Sequence, residues 1–387
     1  MSTTLQETDE ITALREMVRG FVTEKVLPYQ DQWEEDQMVP RQLSKDAGDL
    51  GLLGINFPDS VGGEGAGLSA LVAVIEELHV AGAAAGFQAS VFTTLISCPH
   101  IIASGNQDLI DRYVRPALAG DSIGSLGITE PGGGSDVGGL RTTAKRDGDH
   151  YVISGAKTFI TSAVRGDWTV IAARTGGDDA PGSRGISLFV VDNDTEGFEI
   201  TRSLRKMGWH MSDTAEIVLD DVRVPASHLV GEENGGFKLI SQGFVSERIG
   251  MAAQAYSQAQ RALDLTVQWC RDRNTFGEPL ISRQSVQRTL AEMARKIDLA
   301  RVYVQMVAKR WDEGETDLVT EACFAKNTAT ETGEWVTHQA VQLFGGAGFM
   351  HGTEVERQYR DMRINGIGGG TVEILTELAA RRLGYTA

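Results

Sequence analysis

Five short segments of this 387-residue chain carry residue types suited to holding polar ligands. "GITEPGGGSD" (127–136) sets hydroxyls among consecutive glycines and so offers backbone N–H groups to a phosphate or the polar edge of a ring. "KTFITSA" (157–163) supplies an aromatic face and a hydroxyl. "RNTFG" (273–277) pairs an arginine with a phenylalanine, a combination that suits a diphosphate and an apolar ring. "QLFGGAGF" (342–349) and "INGIGGGTVEIL" (364–375) let a ligand come close to the backbone, and the second packs three glycines in a row. Taken singly, each has a plain structural reading. A glycine-rich loop is as readily a tight turn, and "RNTFG" an ordinary helix end.

The elements that must position these segments fall into three zones. Residues 1–125 read as helices. In "TDEITALREMVRGFVTEK", Ile11, Leu14, Val18, Phe21 and Val22 recur at helical spacing behind an N-cap at Thr8 or Asp9. "GLSALVAVIEELHVAGAAAGFQASVFTTLI" is apolar on most sides, as in a helix buried among others. Residues 126–235 change to short β-branched and aromatic runs split by Gly, Asp and Asn, with nothing helical interleaved; a compact antiparallel sheet or barrel is predicted. From residue 236 the chain is helical again. "FKLISQGFVSERIGMAAQAYSQAQRALDLTVQWCRDR" has no proline, and Leu290, Met293, Ile297, Ala300, Val304 and Val307 form a bundle seam.

Composition excludes several functions. A formal net charge of −17 leaves no basic footprint for nucleic acid or an anionic membrane. Cys98, Cys270 and Cys323 are far apart and the seven histidines are scattered, so neither a disulfide framework nor a metal site is expected. The acidic, helix-like start is not a presequence and no apolar run reaches membrane-spanning length, so a cytoplasmic protein is expected.

In this order and on this helix–sheet–helix plan, the segments resemble the acyl-CoA dehydrogenase family. The likeness covers essentially the whole chain: "TEPGGGSD", "KTFIT", "KMGWHMSDTAEIVLDDVRVP" (206–225), "RNTFG", "QLFGGAGF" and "YRDMRINGIGGGT". It implies a mainly α fold with a central antiparallel β domain: a helical domain (1–125), a β-barrel domain (126–235) and a C-terminal four-helix bundle (236–387). It also implies non-covalent FAD, with the flavin along Leu126, Ile128 and Thr129, Phe159 packed on it and Thr161 near its N5. Gly134 and Ser135 would lie near the diphosphate, Ser135 also near the acyl-CoA, and Thr371 would contact the cofactor. Arg273, Phe276, Gln284, Gln342, Gly345 and Gly346 would reach the FAD of a neighbouring subunit in a homotetramer. Electrons would pass to an electron-transferring flavoprotein.

One position departs from the family pattern. Most members carry a glutamate just before the Gly-Thr of the last loop, and it removes the substrate α-proton; here that position is Gly369. A minority branch, including the isovaleryl-CoA and long-chain types, places the glutamate on the first long helix of the bundle, twenty-six residues before the arginine of R-x-x-F-G. Counting back from Arg273 lands on Glu247, followed by that branch's arginine, Arg248. Arg248, Gly250 and Gly368 would then border the substrate, and Gly243, Gly250 and Gly368 to Gly370 would leave room for a branched or longer acyl chain.

Twenty-six residues of helix span roughly 39 Å, about twice an extended FAD. If the helix is unbroken, Glu247 and Arg273 serve different FAD molecules, which demands an oligomer. The reaction implied is α,β-dehydrogenation of an acyl-CoA to the trans-2-enoyl-CoA. The Gly369 N–H is kept as a donor to the thioester oxygen, and desolvation beside the acyl chain should raise the Glu247 pKa toward neutrality, opposed by Arg248 if it points inward. A dehydrogenase or reductase acting on a carrier-protein thioester, and a non-catalytic flavin binder, are the alternative readings.

Overall fold

The computed structural model describes residues 8–177, 180–315 and 317–385; the first seven residues of the acidic start and the last two of the bundle lie outside them. Helix α1 (Asp9–Phe21) begins where the Thr8 side chain accepts the Ile11 N–H, and Asp9 and Glu10 place negative charge in its first turn. Val18, Phe21 and Val22 are buried, with Ile11 and Leu14 packed beside them. The apolar run from residue 67 is not one helix. It forms α2 (Gly67–Val80), α3 (Ala85–Val91) and α4 (Thr94–Ser104), the first break falling where Gly82 adopts φ 108°.

The middle zone contains β1 (Gly124–Gly127), β2 (Thr143–Asp147), β3 (His150–Thr161), β4 (Trp168–Arg174), β5 (Ile186–Asp192), β6 (Phe198–Ser203), β7 (Thr214–Pro225) and β8 (Leu229–Val230). They pair in the order β6-β7-β3-β2-β4-β5-β8, with β1 beside β4. The sheet is mostly rather than wholly antiparallel: β1 runs parallel to β4, and β2 meets β4 in parallel at Thr143–Arg174. Along β4, Trp168, Val170 and Ala172 pack on one core, while Ile171 and Ala173 pack on the other. Both faces are therefore covered, which is why "WTVIAAR" reads as a continuous apolar run.

The bundle comprises α5 (Gly236–Asp272), α6 (Gln284–Asp312), α7 (Val319–Phe344) and α8 (Val372–Arg382). Helix α5 is unbroken over 37 residues. All six residues of the predicted seam on α6 are buried. The N-terminal helices share a core with α5–α7, through residues such as Leu71, Ile75, Ile249, Tyr256 and Val304. A buried polar network adds to it. Glu76 on α2 pairs with Arg15 on α1, and accepts from the Tyr256 hydroxyl at 2.6 Å and the Gln305 amide at 2.9 Å. These contacts fix α5 against its neighbours, and with it the face that carries Glu247.

Candidate active site

Glu247 and Met251 stand one turn apart on the same face of α5, opposite the loop that leads into α8. In that loop Gly369 adopts φ +62° and Gly370 φ +97°. A Cβ placed on Gly369 would lie 2.5 Å from the Met251 sulfur and 3.4 Å from Glu247 Oε1. The helix thus delivers a carboxylate to the point where a side chain from the loop would begin. A loop carboxylate is disfavoured on two grounds, the left-handed backbone at Gly369 and the need to move the Met251 side chain.

The loop is pinned from two sides. Lys326 on α7, fully buried, donates from Nζ to the carbonyls of Gly368 at 2.8 Å and Gly370 at 2.5 Å. Arg248 donates from Nε to the Gly369 carbonyl at 3.4 Å, and its guanidinium lies 5.1 Å from the Phe244 ring centre. Thr371 caps α8, its hydroxyl accepting the Ile374 N–H. Among the described residues the Gly369 N–H has no acceptor.

The electrostatics suit a proton acceptor. Packing within the protein pushes the Glu247 carboxyl up to about 7, opposed by the positive charges of Arg248 and Lys326. Burial pushes the Lys326 ammonium down to about 8, with Glu247 working against it. Arg248 does point inward, and burial lowers its pKa too. Desolvation outweighs both cations at Glu247.

A second group of side chains gathers where β1 runs on into the 127–136 loop. Lys157, buried on β3, donates to the Ile128 carbonyl at 3.1 Å and to Glu130 at 2.8 Å, and Thr158 N–H donates to the Thr129 carbonyl. Glu130 also accepts the N–H groups of Arg141 and Thr142. Its burial alone would raise the carboxyl, yet the bonds from Lys157, Thr142 and Arg141 hold it at about 2. So anchored, the loop leaves Gly132 and Gly133 open, Gly134 against the Thr129 side chain, and Ser135 exposed.

Beside it, β3 bulges between Lys157 and Ile160, and Phe159 is held at φ +61°, a conformation rare for an aromatic residue, and is 66% exposed. Thr161 follows, half-buried, next to Ser162 at φ +59°. Leu126 and Ile128 pack in one cluster with Phe244, three residues before Glu247. Both groups thus border the same core cluster.

A third group lies at the other end of α5. Arg273 follows the last helical residue in an extended conformation, and Phe276 is 99% exposed with Arg283 5.8 Å from its ring centre. Gln284 opens α6, and Trp269 stacks on Phe344 at 4.7 Å beside Gln342, Gly345 and Gly346. All six predicted residues of this group are exposed, and Arg273 lies about 39 Å along the helix from Glu247.

The glycines expected to leave room do so only in part. A Cβ on Gly243 would meet the His100 ring at 2.8 Å, and one on Gly250 would touch Ile75 at 3.6 Å; Met251 occupies the space beside Gly369. Sequence reasoning missed Lys326, Met251, Phe244 and the Lys157–Glu130 pair. Lys157 and Glu130 sit inside segments already singled out, so their opposite charges were the available signal.

Three family models match the chain: the acyl-CoA dehydrogenase N-terminal domain over residues 8–121, the middle domain over 125–222 and the C-terminal domain over 234–384. The rat mitochondrial long-chain specific acyl-CoA dehydrogenase is 38% identical over 370 residues, covering 95% of this chain and 85% of the relative. The crystal structure of a provisionally named acyl-CoA dehydrogenase from Mycobacterium smegmatis is 61% identical with a TM-score of 0.97, covering 99% of this chain and 100% of that one. A glutaryl-CoA dehydrogenase from the same organism, in complex with FADH2, is 26% identical with a TM-score of 0.89, covering 98% and 96%. The exposed ring of Phe159 on its strained bulge, the open glycines and the neighbouring hydroxyls fit such a cofactor: a flat ring system with polar edges and a diphosphate.

Proposed function

Because the chain belongs to the acyl-CoA dehydrogenase family, whose members are FAD-dependent oxidoreductases of acyl-CoA thioesters, we propose that it forms the trans-2-enoyl-CoA with Glu247 as the base that takes the α-proton. The observation that carries this reading is Glu247 Oε1 lying 3.4 Å from the missing Cβ of Gly369. Bound FAD supplies the acceptor for the β-hydride at its N5.

Each group of the chain then has a task. An α C–H is a very weak acid, so Glu247 needs a pKa near neutrality to take its proton, and desolvation provides one. Charge building on the thioester oxygen needs a donor already in place; the acceptor-free Gly369 N–H is that donor. Phe159, Leu126, Ile128 and Thr129 would border the flavin, with Thr161 near its N5, Gly134 and Ser135 near the diphosphate, and Thr371 on the loop side. Arg248, already committed to Gly369 and Phe244, would border the substrate through its stem, beside Gly250 and Gly368.

The unbroken α5 supports an oligomer. Arg273, at the far end of α5, is too far from Glu247 to share its FAD, and its exposure and that of Phe276, Gln284, Gln342, Gly345 and Gly346 fit a role at a neighbouring subunit's cofactor in a homotetramer. Reoxidation is assigned to an electron-transferring flavoprotein. Among the described residues no helix is long and apolar enough to cross a membrane, and no His, Cys, Asp and Glu cluster could hold a metal.

The test is an anaerobic titration of the FAD-loaded protein with acyl-CoAs graded in length and branching. Flavin absorbance should bleach with at least one chain class; FAD bound and unbleached by all of them would contradict the proposal.

A further inference from the structure

We infer that Lys326 is a positioning residue for this reaction: by holding the carbonyls of Gly368 and Gly370, it turns the Gly369 N–H toward the thioester oxygen. The inference rests on the dehydrogenase reading above. One ammonium donates to two carbonyls two residues apart, at 2.8 and 2.5 Å. Both can converge on a single atom because Gly369 and Gly370 lie in the left-handed region, at φ +62° and +97°. In a trans peptide the N–H points opposite to its carbonyl. The Gly368 carbonyl faces Lys326, so the Gly369 N–H must face away from it. That N–H finds no acceptor among the described residues, while Glu247 Oε1 lies 3.4 Å from where the same residue's Cβ would be.

The arrangement gives a fully buried lysine a purpose. An unpaired ammonium in a core is costly, and helix lysines ordinarily reach solvent. Here the cation satisfies two carbonyls of a loop that offers no side chain to hold it by. Arg248 adds a longer bond to the carbonyl between them. The loop's three consecutive carbonyls are thereby turned onto cations; the Gly368 N–H donates to the Ile364 carbonyl, and the N–H groups of Gly369 and Gly370 are left for a ligand.

A lysine that merely stabilised the fold would affect all ligands alike; one that aims the Gly369 N–H should affect only ligands bearing a negative oxygen. The probes are acetoacetyl-CoA, whose activated α-proton lets it bind as the enolate without being oxidised, and an S-alkyl-CoA thioether, which lacks the carbonyl. In FAD-loaded Lys326→Met, the Kd for acetoacetyl-CoA should rise about 10- to 100-fold and the absorbance of the bound enolate should fall. The thioether Kd should stay within about twofold, and the FAD content should match wild type. Equal changes for both ligands, or none for either, would overturn the inference.

Should Lys326→Met fail to fold or to hold FAD, Lys326→Gln keeps one donating group and allows the same comparison, with equal losses again overturning it. If wild-type protein binds neither probe, nor the 3-oxoacyl-CoA and thioether built on the acyl chain that bleaches its flavin, the dehydrogenase reading falls and takes this inference with it. If wild type binds both and only the selective loss is missing, Lys326 alone has been misread.

Discussion

The pH dependence of flavin reduction follows from the Glu247 environment. Its carboxyl stands at about 7 rather than the ordinary 4.5, with desolvation dominant over Arg248 and Lys326. A base of that pKa is about one-tenth ionised at pH 6 and about nine-tenths ionised at pH 8. The second-order rate constant for anaerobic flavin reduction at low acyl-CoA reports the free enzyme. It should therefore fall about tenfold per pH unit below 7 and level off above about 8.

The same shift affects stability, with the opposite preference. A carboxyl raised in the folded state contributes stability that is fully present below 4.5 and lost as pH rises through about 7. The gap of about 2.5 between the two values corresponds to about 3 kcal/mol. Glu247→Gln should therefore unfold at higher denaturant than wild type at pH 8, with little of this gain at pH 4.5. A rate profile that is flat between pH 5.5 and 8.5, or that breaks near 4.5, would refute the assignment of both the environment and the role.

Other perturbations probe the surrounding geometry. Gly369→Ala forces a Cβ into the left-handed region and against Met251; it should cost about 1–3 kcal/mol in denaturation. By displacing Met251 onto Glu247 it should also slow flavin reduction about 100-fold, whereas pairing it with Met251→Ala should recover part of both losses. Lys157→Met strands Glu130 with only backbone donors, and should destabilise by about 3–5 kcal/mol and weaken FAD retention, measured by denaturation and by flavin fluorescence. Arg273→Ala should reduce FAD retention in gel filtration while leaving the pH break of the remaining holoenzyme in place, because it sits at the opposite end of α5 from Glu247.

Patterns set by local periodicity were legible in the sequence. The α6 seam, the unbroken α5 and the Thr8 cap all follow from spacing and side-chain chemistry within one element. Features that depend on partners distant in sequence were not. Four residues were too few to flag β1, and its parallel pairing with β4 joins segments more than forty residues apart. Lys326 reads as one more polar residue on a helix until Gly368 and Gly370, more than forty residues on, are brought to it by the loop before α8. The break at Gly82 was hidden because "VAGAAAG" is as apolar as the helices on either side. At Glu247 only register against a family pattern singled out one carboxylate among many; its neighbours Met251 and Gly369 come from the fold.

The most direct test of the account is Glu247→Gln, loaded with FAD and mixed anaerobically with an acyl-CoA that bleaches the wild-type flavin. The amide keeps the size and loses the basicity, so FAD should stay bound and its reduction should slow by about 10²–10⁴-fold. Reduction at a rate near wild type would show that the α-proton leaves to another group, and that the carboxylate facing Gly369 is not the base.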